Sequence, residues 1–399
     1  MTDGRAGVPV VCLGEVARIV SGGTPSRTNP AFWGGDIPWV KTSNIRNDHI
    51  GLADIDERIT VEGLRGSSAR MIPAGTILMA MYGQGGTRGR VSILDADAAI
   101  SQNAAAFILD DQVDSGYMFQ LLRHEYDRIR SLSNAGGLDF LSSGAVLSMR
   151  VPLPSLCRQR EAARVLAMWD TAIDETQALV RMMRTRRDGL AYITLEREAG
   201  SWRRSRLCDL GTVSGSGVDK TSVSGESPVL LANFLDVMHH DFLTADNLTQ
   251  WVTAPDSKAQ SCCLRRGDVL FTPSSEIRGD IARSAVVVED IPSGVYSYHV
   301  VRFRLDEEWD LRFRAYAFKT SDFYRQAYTL CEGSGQRYVL NLSTFRMMTV
   351  RVPDAQTQRS IGRVLATADS EIEVLERLTR LYRSQKAAIA ASIFAKGAP

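Results

Sequence analysis

The sequence predicts an α/β fold: two similar mixed α/β modules separated by two long helices that form an antiparallel coiled coil. Three observations predict it. The chain repeats itself at a long period, each copy ends in a sustained heptad-like pattern, and each globular stretch mixes short β-branched runs with a helical segment.

The repeat comes first because it sets the domain plan. Gln159-Arg160, Arg164-Val165-Leu166-Ala167, Asp170 and Ile173 recur 199 residues later as Gln358-Arg359, Arg363-Val364-Leu365-Ala366, Asp369 and Ile372. Upstream, Leu141-Ser142 and Met149-Arg150-Val151-Pro152 align with Leu342-Ser343 and Val350-Arg351-Val352-Pro353. Ile100-Ser101-Gln102-Asn103 has its counterpart in Tyr296-Ser297-Tyr298-His299, and Thr87-Arg88-Gly89-Arg90 in Ile277-Arg278-Gly279-Asp280. A period near 200 residues is too long for a solenoid, so it marks a duplicated domain. The expected boundaries are 1–154 for the first module, 155–198 for the first helix, 199–353 for the second module and 354–399 for the second helix.

Composition is that of a soluble globular chain. With 399 residues, 44% of them apolar and 23% charged, each half can bury its own core. No run approaches the roughly 18 unbroken apolar residues of a membrane span, and no apolar leader opens the sequence, so a cytoplasmic protein without membrane attachment is expected. The six cysteines include no Cys-x-x-Cys and meet no histidines at zinc-ligand spacing, so reduced thiols and no metal are expected. A net charge of +1 says nothing of nucleic acid by itself.

The helical pattern reads Leu166, Trp169, Ile173, Thr176, Val180, Met183, Arg187, Leu190 in the first copy and Leu365, Ala368, Ile372, Leu375, Thr379, Tyr382, Lys386, Ile389 in the second. Alternate spacing of three and four is a coiled-coil seam with polar interruptions. A helix over 155–196 would be about 60 Å long, too long to fold back into its own module. Two such helices are expected to pair antiparallel, with Arg187 and Lys386 snorkelling or pairing across the seam. Leu179, Met182, Leu378 and Leu381 widen the apolar face beyond a two-stranded seam, which suits helices of a partner subunit.

The modules carry Gly-rich polar loops with interleaved basic and aromatic residues, notably 21–27, 82–90, 272–279 and 333–338. Such residues can bind phosphates and read base edges, although most loops of this composition are plain turns. Enzyme motifs fail. Asp219 stands where a phosphate-binding loop over 214–221 needs glycine, Asn29-Pro30-Ala31-Phe32 reads as a turn, and no nucleophile elbow occurs.

Leu13-Gly14-Glu15-Val16, Ser21-Gly22-Gly23-Thr24-Pro25 and Phe32-Trp33-Gly34-Gly35-Asp36-Ile37-Pro38-Trp39-Val40, with the order module, helix, module, helix, resemble the specificity subunits of Type I restriction-modification systems. The resemblance implies two target recognition domains, each reading one half of a bipartite, asymmetric site on double-stranded DNA. It implies conserved spacer helices that set the gap and dock two methyltransferase subunits, with restriction subunits joining where the system has them. Adenine N6 would be methylated with S-adenosylmethionine held by the methyltransferase; this chain would bind no cofactor and catalyse nothing. A subunit of a related fused restriction-modification enzyme, or a scaffold or antirestriction protein that does not read DNA, would share this plan. On that reading the DNA-contacting candidates are Arg27, Lys41, Asn44, Tyr82, Gln84, Thr87, Arg88 and Arg90 in the first module, and Lys220, Asn233, Ser274, Ser275, Glu276, Arg278 and Arg337 in the second. The matched Arg88-Gly89 and Arg278-Gly279 favour a shared phosphate or structural role over specific reading. The partner-contacting candidates are Leu179, Met182, Leu378 and Leu381.

Overall fold

The computed structural model describes residues 8–83, 86–132, 140–197, 199–334 and 336–395. The chain is mixed α/β and divides into two compact units, 1–177 with 377–399, and 178–376. Gln84 lies outside the described residues.

In the first unit a five-stranded sheet runs in the order Ala17–Ser21, Ala104–Leu109, Ile77–Ala80, Val91–Leu94, His49–Ile50. The strand Ile77–Ala80 is buried on both faces, which is why it reads as a continuous apolar run rather than an alternating one. A second sheet is ordered Arg58–Ile59, Trp33–Val40, Ala98–Ile100, Arg70–Ile72. At the end of the strand Ala98–Ile100, Gly22 comes so close that a Cβ there would sit 1.8 Å from the Ile100 carbonyl oxygen. Only glycine fits that approach.

The second unit repeats the five-stranded sheet in the same order: Gly211–Ser214, Val301–Leu305, Val269–Phe271, Ser284–Val287, Phe242–Leu243. Its second sheet is Gln250–Ala254, Ser227–Ala232, Gly294–Tyr296. In both units the pair leading into the polar loops is parallel and in matching register, Trp39 with Ala99 and Val40 with Ile100, then Leu231 with Val295 and Ala232 with Tyr296. The duplication is therefore structural as well as sequential.

The long helices run over Leu156–Tyr192 and Ala355–Phe394. In the first unit Ala162 and Leu166 share a core with Ala390 and Phe394, while Asp170 meets Lys386. In the second unit Leu190 and Leu195 share a core with Ile361 and Leu365, Arg187 meets Asp369 at 2.9 Å, and Arg184 meets Glu376 at 2.5 Å. Within each unit the two helices thus run antiparallel, with Leu166, Ile173, Val180, Leu365 and Ile372 buried as their heptad spacing requires.

The repeated glutamine has a clear structural role. Gln159 accepts the Asp114 amide at 2.8 Å and donates to the Pro154 carbonyl at 2.8 Å; Gln358 accepts the Asp310 amide at 3.0 Å and donates to the Pro353 carbonyl at 3.0 Å. Asp114 and Asp310 in turn cap the helices Ser115–His124 and Leu311–Ala317. Both glutamines are buried, so each latch satisfies backbone groups that water does not reach.

The structural register of 199 reaches further upstream than the sequence match suggests. Ser142 and Asn341 cap the short helices Ser143–Leu147 and Leu342–Met347, and Met149 and Met348 accept from the Leu13 and Leu207 amides. Leu141 therefore corresponds to Leu340 rather than Leu342, and Val151 to Val350 rather than Val352, a correction of two residues. Alternating apolar residues along a short strand allow such a slip without changing the pattern.

A charge cluster also recurs. In the first unit Arg123 bridges Asp48 at 2.8 Å and Asp170 at 3.1 Å, with Lys386 and the Gln120 amide on the same Asp170. In the second, Asp369 takes Arg187 and the Tyr316 hydroxyl, and Lys319 and Arg187 both meet Asp241. Apart from Asp188, which also meets its neighbour Arg187, each cluster holds two aspartates, one arginine and one lysine, with the two cations exchanged between module and helix. Among the described residues no helix is long and apolar enough to cross a membrane.

Candidate nucleic-acid interface

In the second unit a short hairpin, Glu332–Ser334 with Arg337–Val339, is joined edge-on to Ser274–Ser275 through the pairs Ser274 with Val339 and Ser275 with Tyr338. That pairing closes a groove lined by Lys220, Asn233, Ser274, Ser275, Glu276 and Arg337. Six of the seven sequence-predicted residues of this module therefore converge. Ile277 and Gln336 join them from the same polar loops, whereas His299 and Leu235 come from stretches that carry no signal in the sequence.

The groove sets two cations, Lys220 and Arg337, and the carboxylate of Glu276 beside the apolar side chains of Phe234, Leu235 and Ile277. Burial, and then the charges of Lys220 and Arg337, push the His299 pKa below its usual value. Arg337 is exposed and donates to Ser274 Oγ at 3.1 Å. Asn233 has a local task, capping the helix Phe234–His239 and donating to Gln250 at 2.9 Å. Asp219 turns its carboxylate onto the Lys220 and Thr221 amides at 2.6 and 3.2 Å, an Asx turn where a phosphate loop would leave those amides open.

Arg278 lies beside the groove rather than in it. Its guanidinium stacks 4.4 Å from the Tyr328 ring and donates to the Cys331 sulfur at 3.4 Å. The equivalence expected between Arg88-Gly89 and Arg278-Gly279 does not hold. The Gly89 amide donates to the Ala80 carbonyl, and the matching bond in the second unit runs from Ala282 to the Thr272 carbonyl, both at 2.8 Å. Gly89 and Ala282 also share a left-handed backbone, φ 82° and 64°. The Ala80 and Thr272 amides donate back to the Arg90 and Arg283 carbonyls at 2.9 and 3.0 Å. Arg90 therefore corresponds to Arg283, and the Arg-Gly dipeptide of the second copy sits earlier in a longer loop.

In the first unit the equivalent surface is built differently. Tyr82 bridges Phe140 as Ser274 bridges Val339, so two exposed aromatic rings stand where the second unit has a serine and a valine. The Thr87 carbonyl accepts the Arg90 amide at 3.1 Å, and the Arg90 guanidinium donates to the Arg46 carbonyl at 3.2 Å. Arg88 is half-buried. Arg27 stacks 3.8 Å from the Trp33 ring and meets Glu57 at 2.5 Å. Lys41 is held by Glu57 at 2.6 Å and Asp56 at 2.9 Å, and these hydrogen bonds raise its pKa. In return Lys41, with Asn44, lowers the Asp56 pKa to about 2. Asn44 is buried, accepting the Lys41 amide and donating to Asp54 and Asp56. Lys41 and Asn44 thus organise the loop that carries them.

On the helices, Leu179, Met182 and Leu381 are exposed and Leu378 is half-buried. Val374, which stands outside the heptad seam, is 65% exposed, and it lines an apolar groove with Leu179, Met183 and Leu375 in the second unit.

Residues 6–179 match the family model of the Type I restriction modification DNA specificity domain. The chain is 26% identical over 163 residues to the Type I restriction enzyme MjaIX specificity subunit of Methanocaldococcus jannaschii, covering 40% of this chain and 37% of that one. It is 26% identical over 193 residues to a Type I restriction enzyme specificity subunit of Escherichia coli, covering 45% of each. Each match thus spans less than half of the relative's length. The Type I restriction-modification S subunit of M. genitalium shares the fold across 99% of this chain and 98% of its own, with a TM-score of 0.59 at 13% identity. A chain from a structure of the assembly and conformational transition of the Type I system covers 97% of each, with a TM-score of 0.57 at 14% identity.

Proposed function

We propose that the chain is a specificity subunit of a Type I restriction-modification system, the class that its residues 6–179 and the curated relatives support, and that it selects the DNA site at which partner subunits methylate adenine N6. Each module reads one half of a bipartite site, the helices set the gap, and Leu179, Met182, Leu378 and Leu381 contribute to docking two methyltransferase subunits. S-adenosylmethionine is held by those partners, restriction subunits join where the system has them, and this chain performs no chemistry.

The observation that carries the reading is the groove of the second module, where Lys220, Ser274, Ser275, Glu276 and Arg337 converge from separate loops. Cations neutralise phosphates and set register, while side chains able to accept and donate discriminate bases. The different surface of the first module, aromatic at Tyr82 and Phe140, supports two unlike half-sites. Methylation of a base requires it to leave the stack, so the subunit also holds distorted DNA for its partners.

The test is to co-express the chain with a cognate methyltransferase subunit in a methylation-free host and map N6-methyladenine by single-molecule sequencing. A split motif with a fixed gap is expected. A stable complex that methylates no defined motif would instead favour a scaffold that does not read DNA.

A further inference from the structure

We propose that Arg337 and Glu276 together read a G·C pair in the half-site taken by the second module, Arg337 through guanine O6 and N7 and Glu276 through the cytosine N4 amine. The assignment rests on the reading above that this module contacts DNA.

Glu276 is the unusual member of the groove. It is exposed and shares the groove with Lys220 and Arg337. A carboxylate facing phosphates is repelled, so in a DNA interface it is useful only where it meets a donor on a base edge. Arg337 presents the complementary group. Its guanidinium donates to Ser274 Oγ, which leaves most of its fork open, whereas the neighbouring Arg278 is occupied by Tyr328 and Cys331.

The two side chains come from different segments, joined by the pairing of Ser274 with Val339 and Ser275 with Tyr338. Ser275 Oγ also accepts the Ile277 amide at 3.1 Å, which fixes the turn that carries Glu276. A donor fork beside an acceptor matches the major-groove edge of a G·C pair, which presents two acceptors on guanine and a donor on cytosine. An A·T edge alternates acceptor, donor, acceptor and matches it less well. Both side chains belong to the second module, so the effect is confined to the half-site that this module takes.

The test maps N6-methyladenine for the wild-type complex with its methyltransferase and for complexes carrying Arg337→Ala or Glu276→Gln. Copurification with the methyltransferase at wild-type yield shows that the variants fold. One G·C position in one half of the motif is expected to become degenerate, with discrimination falling roughly ten- to hundredfold, while the other half and the gap stay unchanged. An unchanged motif overturns the assignment. So does a uniform loss of methylation with equal weakening on unrelated DNA and a shallower salt dependence, which marks a phosphate contact. A wild-type complex that yields no bipartite motif defeats the recognition reading itself, and is distinguishable because it fails before any variant is compared.

Discussion

Lys386 donates to Asp170 in the first unit just as Arg187 donates to Asp369 in the second, so the same seam position carries the cation in both helices and the same aspartate receives it. Removing Asp170 takes from the half-buried Lys386 its ion-pair partner, which costs more than removing both, whereas without Lys386 the Asp170 carboxylate keeps Arg123 and Gln120. Asp170→Asn and Lys386→Met should each destabilise the first unit, the double variant by less than their sum, with a coupling of about 0.5–3 kcal/mol in chemical denaturation. Additive effects would show that the pair is incidental.

The pH dependence of that unit separates its two aspartates. Burial opposes ionisation of Asp170, but Arg123, Lys386 and Gln120 outweigh it and hold its pKa below the usual 3.8. Its stabilising contribution is therefore complete above pH 3.8 and lost as pH falls through the lower folded-state value. Burial raises the pKa of Asp48, with Arg123 offsetting only part, so ionised Asp48 costs stability at neutral pH and that cost disappears in acid. Asp170→Asn should lower stability at pH 7 and Asp48→Asn should raise it, as read by denaturant midpoints between pH 3 and 7.

Gly22 tests the close approach of backbone segments. A Cβ there would meet the Ile100 carbonyl oxygen at 1.8 Å, and at Gly217 the corresponding oxygens of Tyr296 and Ser297 at 2.3 Å. Gly22→Ala and Gly217→Ala should each cost more than about 2 kcal/mol of stability, measured by thermal unfolding, whereas Gly144→Ala, with open space around it, should cost little.

Exposed apolar positions on the helices give a test of partner docking. Val374 and Leu381 are 65% and 52% exposed. Val374→Glu and Leu381→Glu should leave the fold intact by circular dichroism and reduce methyltransferase copurification, each by about 1–2 kcal/mol of binding free energy or more at the centre of an interface. Unchanged copurification would move the docking site away from these positions.

The helices and the duplication are legible in the sequence because both are written in periodic signals. Leu166, Ile173 and Leu365 are buried where the heptad places them, and the pairing of Arg187 and Lys386 across the seam follows from their position in it. Loops carry no such period. Lys41 in a polar loop reads the same whether it faces a phosphate or the carboxylates of Asp56 and Glu57, which lie 15 and 16 residues away. Arg278 likewise meets Cys331 and Tyr328 through the fold alone, and its dipeptide match to Arg88-Gly89 misses the backbone equivalence that places Gly89 with Ala282. His299 reaches the groove because the strand Gly294–Tyr296 that precedes it pairs with Ser227–Ala232 and Ser297 bridges Val218, relations between distant stretches that local sequence does not encode.

The first unit is assembled from two pieces of chain, and its core needs Ala390 and Phe394 beside Tyr117 and Leu166. A chain ending at 376 would keep every residue of the second unit, one continuous stretch from 178, and would lack Ala390 and Phe394 from the core of the first. Shortening from the C-terminal side therefore removes core residues of the unit that begins the chain before it touches the unit in the middle.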